Sequence, residues 1–135
     1  MQNARIYLRR IEQFVERVQE LRYRDRSPLE ATYTYDRRKP IPIGELDRRK
    51  WKPIMPGTRW GELWGSAWFR ITGAIPESFA GEEVVALVDL GSEGCVFVDG
   101  TPWQGLTDVP RTGRRHGTGK RRVVLSQKAR GGAPV

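Results

Sequence analysis

Apolar residues recur at three- and four-residue spacing near the N-terminus, through Ala4, Tyr7, Leu8, Ile11, Phe14, Val15, Val18 and Leu21. That spacing predicts one amphipathic helix within residues 1–24, running from Asn3 as N-cap to about Tyr23. Glu12, Glu16 and Glu20 fall on its outer side, with Arg9, Arg17 and Arg24 at pairing distance along the helix. A stripe of about five turns is marginal alone in water, so the helix is expected to dock on this chain, on a continuation of it, or on another subunit.

From 25 to 59 the pattern is lost. Pro28, Pro40, Pro42, Pro53 and Pro56 forbid a long helix, while ATYTY has strand composition. This stretch is expected to be an extended basic arm, a connector laid over a domain surface. From Trp60 the pattern becomes strand-like, in SAWFRITGAIP, EEVVALVDLG and GCVFVDGTPWQG, and again in KRRVVLS after the loop GRRHGTGK. The nearly continuous apolar run EEVVALVDLG suits a strand buried on both faces. Asp99-Gly100 predicts a type I′ turn between CVFV and TPWQ. Short strands with no helix between them predict a mainly β fold, an antiparallel β-sandwich over 60–135 preceded by the helix and the arm. After RGGAPV nothing closes the sheet, so the sandwich is expected to be incomplete and to continue in a longer chain.

Length and composition narrow the function classes. The chain has 135 residues and 15.5 kDa, enough for one domain with a core, and no apolar run long enough to span a membrane. The first residues lack an apolar signal core, which makes a cytoplasmic location the expectation. One cysteine, Cys95, and one histidine, His116, exclude an internal disulfide and leave too few ligands for thiolate or histidine metal chemistry. Cys95, alternating with apolar neighbours, is expected to be a buried, inert thiol. The net charge of +8 is unevenly divided: +7 over 1–59, −7 over 60–108 and +8 over 109–135. Basic flanks around an acidic centre predict pairing within or between chains, and a nucleic-acid surface is the lesser alternative. The aromatic residues lie in the acidic middle, whereas single-strand binders interleave aromatic and basic residues.

The order of motifs is more specific than any one of them. Trp60-Gly61 to Trp64-Gly65, Trp68-Phe69-Arg70 ending at Ile75-Pro76, and Glu93-Gly94 leading to Val98-Asp99-Gly100 and Gln104-Gly105 together resemble the N-terminal β-sandwich of glycoside hydrolase family 38 α-mannosidases, the cytosolic and vacuolar type. A looser version of the pattern occurs in sugar-binding domains of β-galactosidase-like enzymes. The resemblance implies a galactose-binding or jelly-roll-like sandwich at the start of a longer enzyme that removes terminal α-mannose with retention. It implies zinc, or another divalent metal, in a catalytic domain further along. The family's metal signature pairs a His with an Asp two residues on, whereas His116 is followed by Gly117 and Thr118. No catalytic residue and no cofactor is therefore assigned to this stretch.

Trp103, Asp99, Gln104 and Glu93 are the candidate carbohydrate or interdomain contacts. Trp60, Trp64 and Trp68 read as packing residues, with Trp60 and Trp64 in loops over the sandwich end and Trp103 the most exposed tryptophan. Asp89, Glu93, Asp99 and Asp108 form a carboxylate-rich segment, but a glycosidase needs two carboxyl groups roughly 5–9.5 Å apart across a scissile bond, and turn chemistry already accounts for Asp99. These acids are expected to meet arginines, Arg70 among them. GRRHGTGK superficially resembles a phosphate loop, but the spacing is wrong and a strand follows it, so nucleotide binding is excluded. The function expected is a non-catalytic region serving domain packing and assembly, with the remainder of the mannosidase chain and a second subunit as partners, a mannoside as the full enzyme's substrate, and neither nucleic acid nor membrane. A free-standing carbohydrate-binding module is the alternative.

Overall fold

A computed structural model describes residues 2–107 and 119–135 of the chain. Asp108, His116 and most of GRRHGTGK lie outside the described residues. The elements are α1 (Gln2–Leu21), β1 (Glu30–Tyr35), β2 (Lys52–Pro53), β3 (Ala67–Thr72), β4 (Val84–Leu87), β5 (Gly94–Val98), β6 (Thr101–Leu106) and β7 (Arg122–Ser126), with short 3-10 turns at Ile43–Arg48 and Glu77–Phe79. The strands form three antiparallel groups, β2-β1-β3, β4-β7 and β5-β6. The fold is therefore mainly β with antiparallel sheets and one N-terminal helix.

α1 begins at Gln2, so Asn3 lies inside the first turn and is not the N-cap. Its apolar stripe does not dock on the described residues: Ile11, Phe14, Val18 and Leu21 are all exposed, Phe14 at 67%. The segment 25–59 is more than a connector. β1 is central in its sheet and pairs with β3 over six residues, from Glu30 opposite Thr72 to Tyr35 opposite Ala67. Its alternation of threonine and tyrosine suits this position, because β-branched and aromatic side chains fill a pleated surface. Thr34 is buried, and Tyr33 stacks on its cross-strand neighbour Phe69 with centroids 6.1 Å apart.

A small core joins the other two groups. Ala86 of β4, Leu106 of β6 and Val123 of β7 are buried together, with Leu29, Val88, Leu90 and Val96 packed around them. β4 is not buried on both faces as its apolar run predicts, since Leu87 is exposed and β7 is its one strand partner among the described residues. An apolar strand reads as doubly buried only when a second layer covers its outer face.

The last residues are tied down. Gly73 and Val135 exchange both backbone hydrogen bonds at 2.9 and 3.1 Å, and Ile75 N–H donates to Ala133 at 2.9 Å. RGGAPV thus pairs beside the end of β3, with Ala74 opposite Pro134. The glycine pair permits it. A Cβ on Gly131 would lie 2.8 Å from the Glu77 carboxyl carbon and 2.9 Å from its Cα, and Gly132 has φ +71°.

Candidate functional site

The carboxylate-rich segment folds into a turn followed by the β5-β6 ribbon. Asp99 and Gly100 both have positive φ, 49° and 76°, between Val98 and Thr101, which face each other. This is the type I′ geometry, and its twist matches that of the ribbon. A register shift between Val96 and Phe97 then re-aims β6, and Trp103 stands 67% exposed. Asp99 and Glu93 are also exposed. Gln104 is different: its amide Nε2 donates to the Arg122 carbonyl at 2.8 Å, stitching the ribbon to β7. Of the four candidate contacts, the structure leaves Trp103, Asp99 and Glu93 open to solvent and employs the Gln104 side chain within the fold.

The other tryptophans are held by hydrogen bonds at the indole N–H, the usual way a half-buried indole is satisfied. Trp60 donates to the Leu90 carbonyl at 3.0 Å and meets Phe69 edge-on, with centroids 5.0 Å apart. Trp68 donates to the Ile41 carbonyl at 2.7 Å and packs against Phe97. Trp64 departs from expectation. It is 93% exposed, more than Trp103, and takes φ +64° in a turn closed by Gly65 N–H to the Glu62 carbonyl at 2.8 Å. A bulky residue in the left-handed region is unusual. Met55 and Leu63 are exposed in neighbouring loops. The sequence carried a signal for the Trp64 turn in the glycine that follows it, but none for the backbone's sign.

Cys95 is exposed, contrary to the buried thiol predicted from its neighbours. Along β5, Val96 packs against the core while its neighbour Cys95 lies on the opposite face, so the alternation is present but puts the thiol on the outside.

Charge is paired from the flanks to the centre. Arg24 meets Glu82 at 3.1 Å, Arg37 meets Glu62 at 3.0 Å, Arg121 meets Asp89 at 2.7 Å and Arg122 meets Glu83. In each pair the arginine comes from a basic flank and the acid from residues 60–108. Arg70 instead lies over the Trp51 ring, 4.4 Å from its centroid, a cation–π contact. Within the first flank, Arg49 bridges Asp36 at 3.2 Å and Glu45 at 2.7 Å. The Arg38 backbone N–H, donating to Asp36 at 2.9 Å, holds the Asp36 carboxyl below its ordinary value, and Arg49 adds to the effect. The hydrogen bond from Arg49 to Glu45 in turn raises the guanidinium above its ordinary value.

Among the described residues no group of three or more His, Cys, Asp or Glu is placed to hold a metal ion. The residues present do not fit the zinc that the resemblance implies for a catalytic domain, and no chemical step through zinc is assigned to them. No helix among the described residues is long and apolar enough to cross a membrane.

Residues 27–135 match the family model of the α-mannosidase jelly roll domain. The chain belongs to this family. The matched region begins just before β1, which is consistent with the sheet of β1, β2 and β3 being part of the jelly roll, and leaves α1 outside it. The chain is 39% identical to alpha-mannosidase 2C1 of Homo sapiens over 67 residues, which are 50% of this chain and 6% of the relative. It is 32% identical to alpha-mannosidase 2C1 of Mus musculus over 94 residues, 70% of this chain and 8% of the relative. The α-mannosidase jelly roll described here therefore spans less than a tenth of the length of these relatives. No solved structure matches. The resemblance carried by the Trp-Gly stretch, the Trp68-Phe69-Arg70 strand and the Asp99-Gly100 hairpin is borne out, and with it the jelly-roll form of the antiparallel fold.

Proposed function

We propose that this chain is the non-catalytic jelly-roll region of a longer α-mannosidase and that it serves domain packing and assembly. The observation that carries the reading is the match of 27–135 to the family's jelly roll, a module that makes up a small share of its relatives. The exposed Met55, Leu63, Trp64 and Trp103 are large apolar groups suited to burial against the remainder of such an enzyme. In this reading the helix 1–24 is an assembly element, 25–59 supplies β1 and β2 to the jelly roll, and 60–135 carries the contact ribbon. Terminal α-mannosides are the substrate of the longer enzyme, which uses a divalent metal held in its catalytic domain, works in the cytoplasm and forms a homo-oligomer.

The test is turnover of an aryl α-mannoside by the purified 135-residue chain, with and without added zinc. No turnover is expected in either condition. Zinc-dependent turnover that copurifies with the chain would overturn the reading.

A second reading, a carbohydrate-binding module, is favoured by one observation: Trp103 and Asp99 are exposed in the same hairpin. Aromatic faces stack on the apolar faces of pyranose rings. Calorimetric titration with mannose or a mannobiose decides for it if heat of binding is seen and is lost in Trp103→Ala.

A further inference from the structure

We infer that in the longer mannosidase proposed above, a reading on which this step rests, the residues directly after Val135 add a strand to the open edge of β3. The sheet β2-β1-β3 thereby gains a further member beside β3. The partner of this edge is the continuation of the same chain, and not a separate molecule.

The direction of the β3 backbone follows from its neighbours. Ile54 N–H donates to the Ala31 carbonyl at 2.9 Å, so the backbone polar groups of Ala31 face β2. These groups alternate sides along a strand, so those of Glu30, Thr32 and Thr34 face β3. Pro53 agrees with this, because it sits opposite Thr32, where β2 is not required to supply an N–H. Through the register of β1 with β3, Thr72, Arg70 and Trp68 are then the β3 residues that bond to β1. Ile71, Phe69 and Ala67 turn their N–H and carbonyl groups to the other side, where no strand pairs with β3 among the described residues.

The C-terminal segment lies on that same side. Gly73 comes two residues after Ile71 and shares its direction, and Gly73 exchanges both backbone hydrogen bonds with Val135. Ile75, two residues further, donates to Ala133. Residues 133–135 therefore run antiparallel to 73–75 along the open edge, heading towards Ile71, with Ala74 opposite Pro134. A chain that continues extended needs no turn to follow β3. Its first residue after Val135 falls opposite Thr72, its second opposite Ile71 and its fourth opposite Phe69, and the 6 residues of β3 are matched one for one. The second and fourth would exchange bond pairs with Ile71 and Phe69, on the face where Tyr33 and Trp60 pack against Phe69. An open edge accepts any extended chain, but a segment already held in register at Val135 competes at the high effective concentration of an intramolecular partner. A second copy or a free peptide has no such advantage.

The experiment compares amide hydrogen exchange, read by NMR, in the 135-residue chain and in the same chain extended after Val135 by Thr-Val-Thr-Val-Thr-Val. Ile71 and Phe69 are expected to exchange freely in the first and about tenfold more slowly, or beyond, in the second. Arg70 and Thr72, already bonded to β1, serve as internal standards. Proline in place of the second added residue removes the N–H aimed at the Ile71 carbonyl and is expected to return Ile71 to free exchange. Slow exchange of Ile71 and Phe69 in the 135-residue chain would overturn the inference, because the edge would already be covered. Protection that fades on dilution would overturn it in favour of a second copy, and no protection in the extended chain would show that the edge refuses this register. In the longer mannosidase, exchange over residues 67–72 read by mass spectrometry is expected to be slower than in the 135-residue chain, and proline at its own second residue after Val135 to reverse this. Equal exchange in the two proteins would overturn the native strand and leave the family assignment untouched. Turnover of an aryl α-mannoside by the 135-residue chain would instead overturn the reading above, and the designed extension would still report on the edge of β3.

Discussion

Trp68 donates its indole N–H to the backbone carbonyl of Ile41 at 2.7 Å, and Ile41 is itself buried. This bond pins the proline-rich segment after β1 to the strand that pairs with β1, whereas the Arg49 bridge to Asp36 and Glu45 ties that segment only to itself and to the end of β1. Trp68→Phe keeps most of the ring and removes the donor. A buried carbonyl left without its partner costs about 1–3 kcal/mol, so the variant is expected to melt several degrees below the parent. Thermal denaturation followed by circular dichroism checks this, and an unchanged midpoint would show that water replaces the indole there.

A Cβ added at Gly131 would meet the Glu77 backbone as well as its side chain, which makes the C-terminal segment sensitive to a single methyl group. In Gly131→Ala the new Cβ would lie 2.9 Å from Glu77 Cα, a distance that trimming the glutamate side chain does not relieve. The expected outcome is loss of the pairing between residues 73–75 and 133–135, read as faster amide exchange at Gly73 and Ile75. Gly44→Ala is the control, because a Cβ there meets nothing within 4 Å and the residue lies in no left-handed turn.

Local chemistry was legible in the sequence and long-range partnership was not. The Asp99-Gly100 turn, the extent of α1 and the strands around Trp68, Val85, Phe97 and Val124 are each specified within a few residues, by a turn dipeptide, a helical period or an apolar run. The pairing of Val135 with Gly73 spans most of the domain, and nothing within RGGAPV announces it. The same limit explains Cys95 and Leu87. Their apolar neighbours predict a strand correctly, but burial depends on whether a second layer lies over that strand, which no local pattern encodes. For the candidate contacts, Trp103 was legible because it follows a hairpin turn. Gln104 was not, because its partner is the Arg122 carbonyl on a strand eighteen residues away.

The Asp36 carboxylate makes the first flank sensitive to acid. Its folded pKa lies below the ordinary carboxylate value of about 3.9, chiefly through the Arg38 N–H and then through Arg49. A depressed folded pKa contributes stability that is fully present above the unfolded value and is lost as pH falls through the folded one. Asp36→Asn is therefore expected to lower the melting temperature at pH 7, where the ion pair with Arg49 is intact. The gap between variant and parent should narrow as pH falls below the ordinary carboxylate range and the parent's carboxylate is protonated. Melting curves of both proteins across this range test it, and a gap that persists into acid would show that packing, and not charge, is what Asp36 supplies.

Cys95 offers a direct reading of what covers the ribbon. Its thiol is exposed on β5, with Sγ 3.6 Å from the Val96 carbonyl, and no covering strand lies over it among the described residues. In the 135-residue chain it is expected to react fully with a chromogenic disulfide reagent without denaturant, because the sulfur is open to solvent. If the ribbon packs against the remainder of a longer mannosidase, the corresponding cysteine in that enzyme will be slow to react until it is unfolded. The two rates separate the proposed roles. A packing surface predicts protection in the longer chain, whereas a carbohydrate-binding face at Trp103 predicts that Cys95 stays reactive in both and slows when mannose is added.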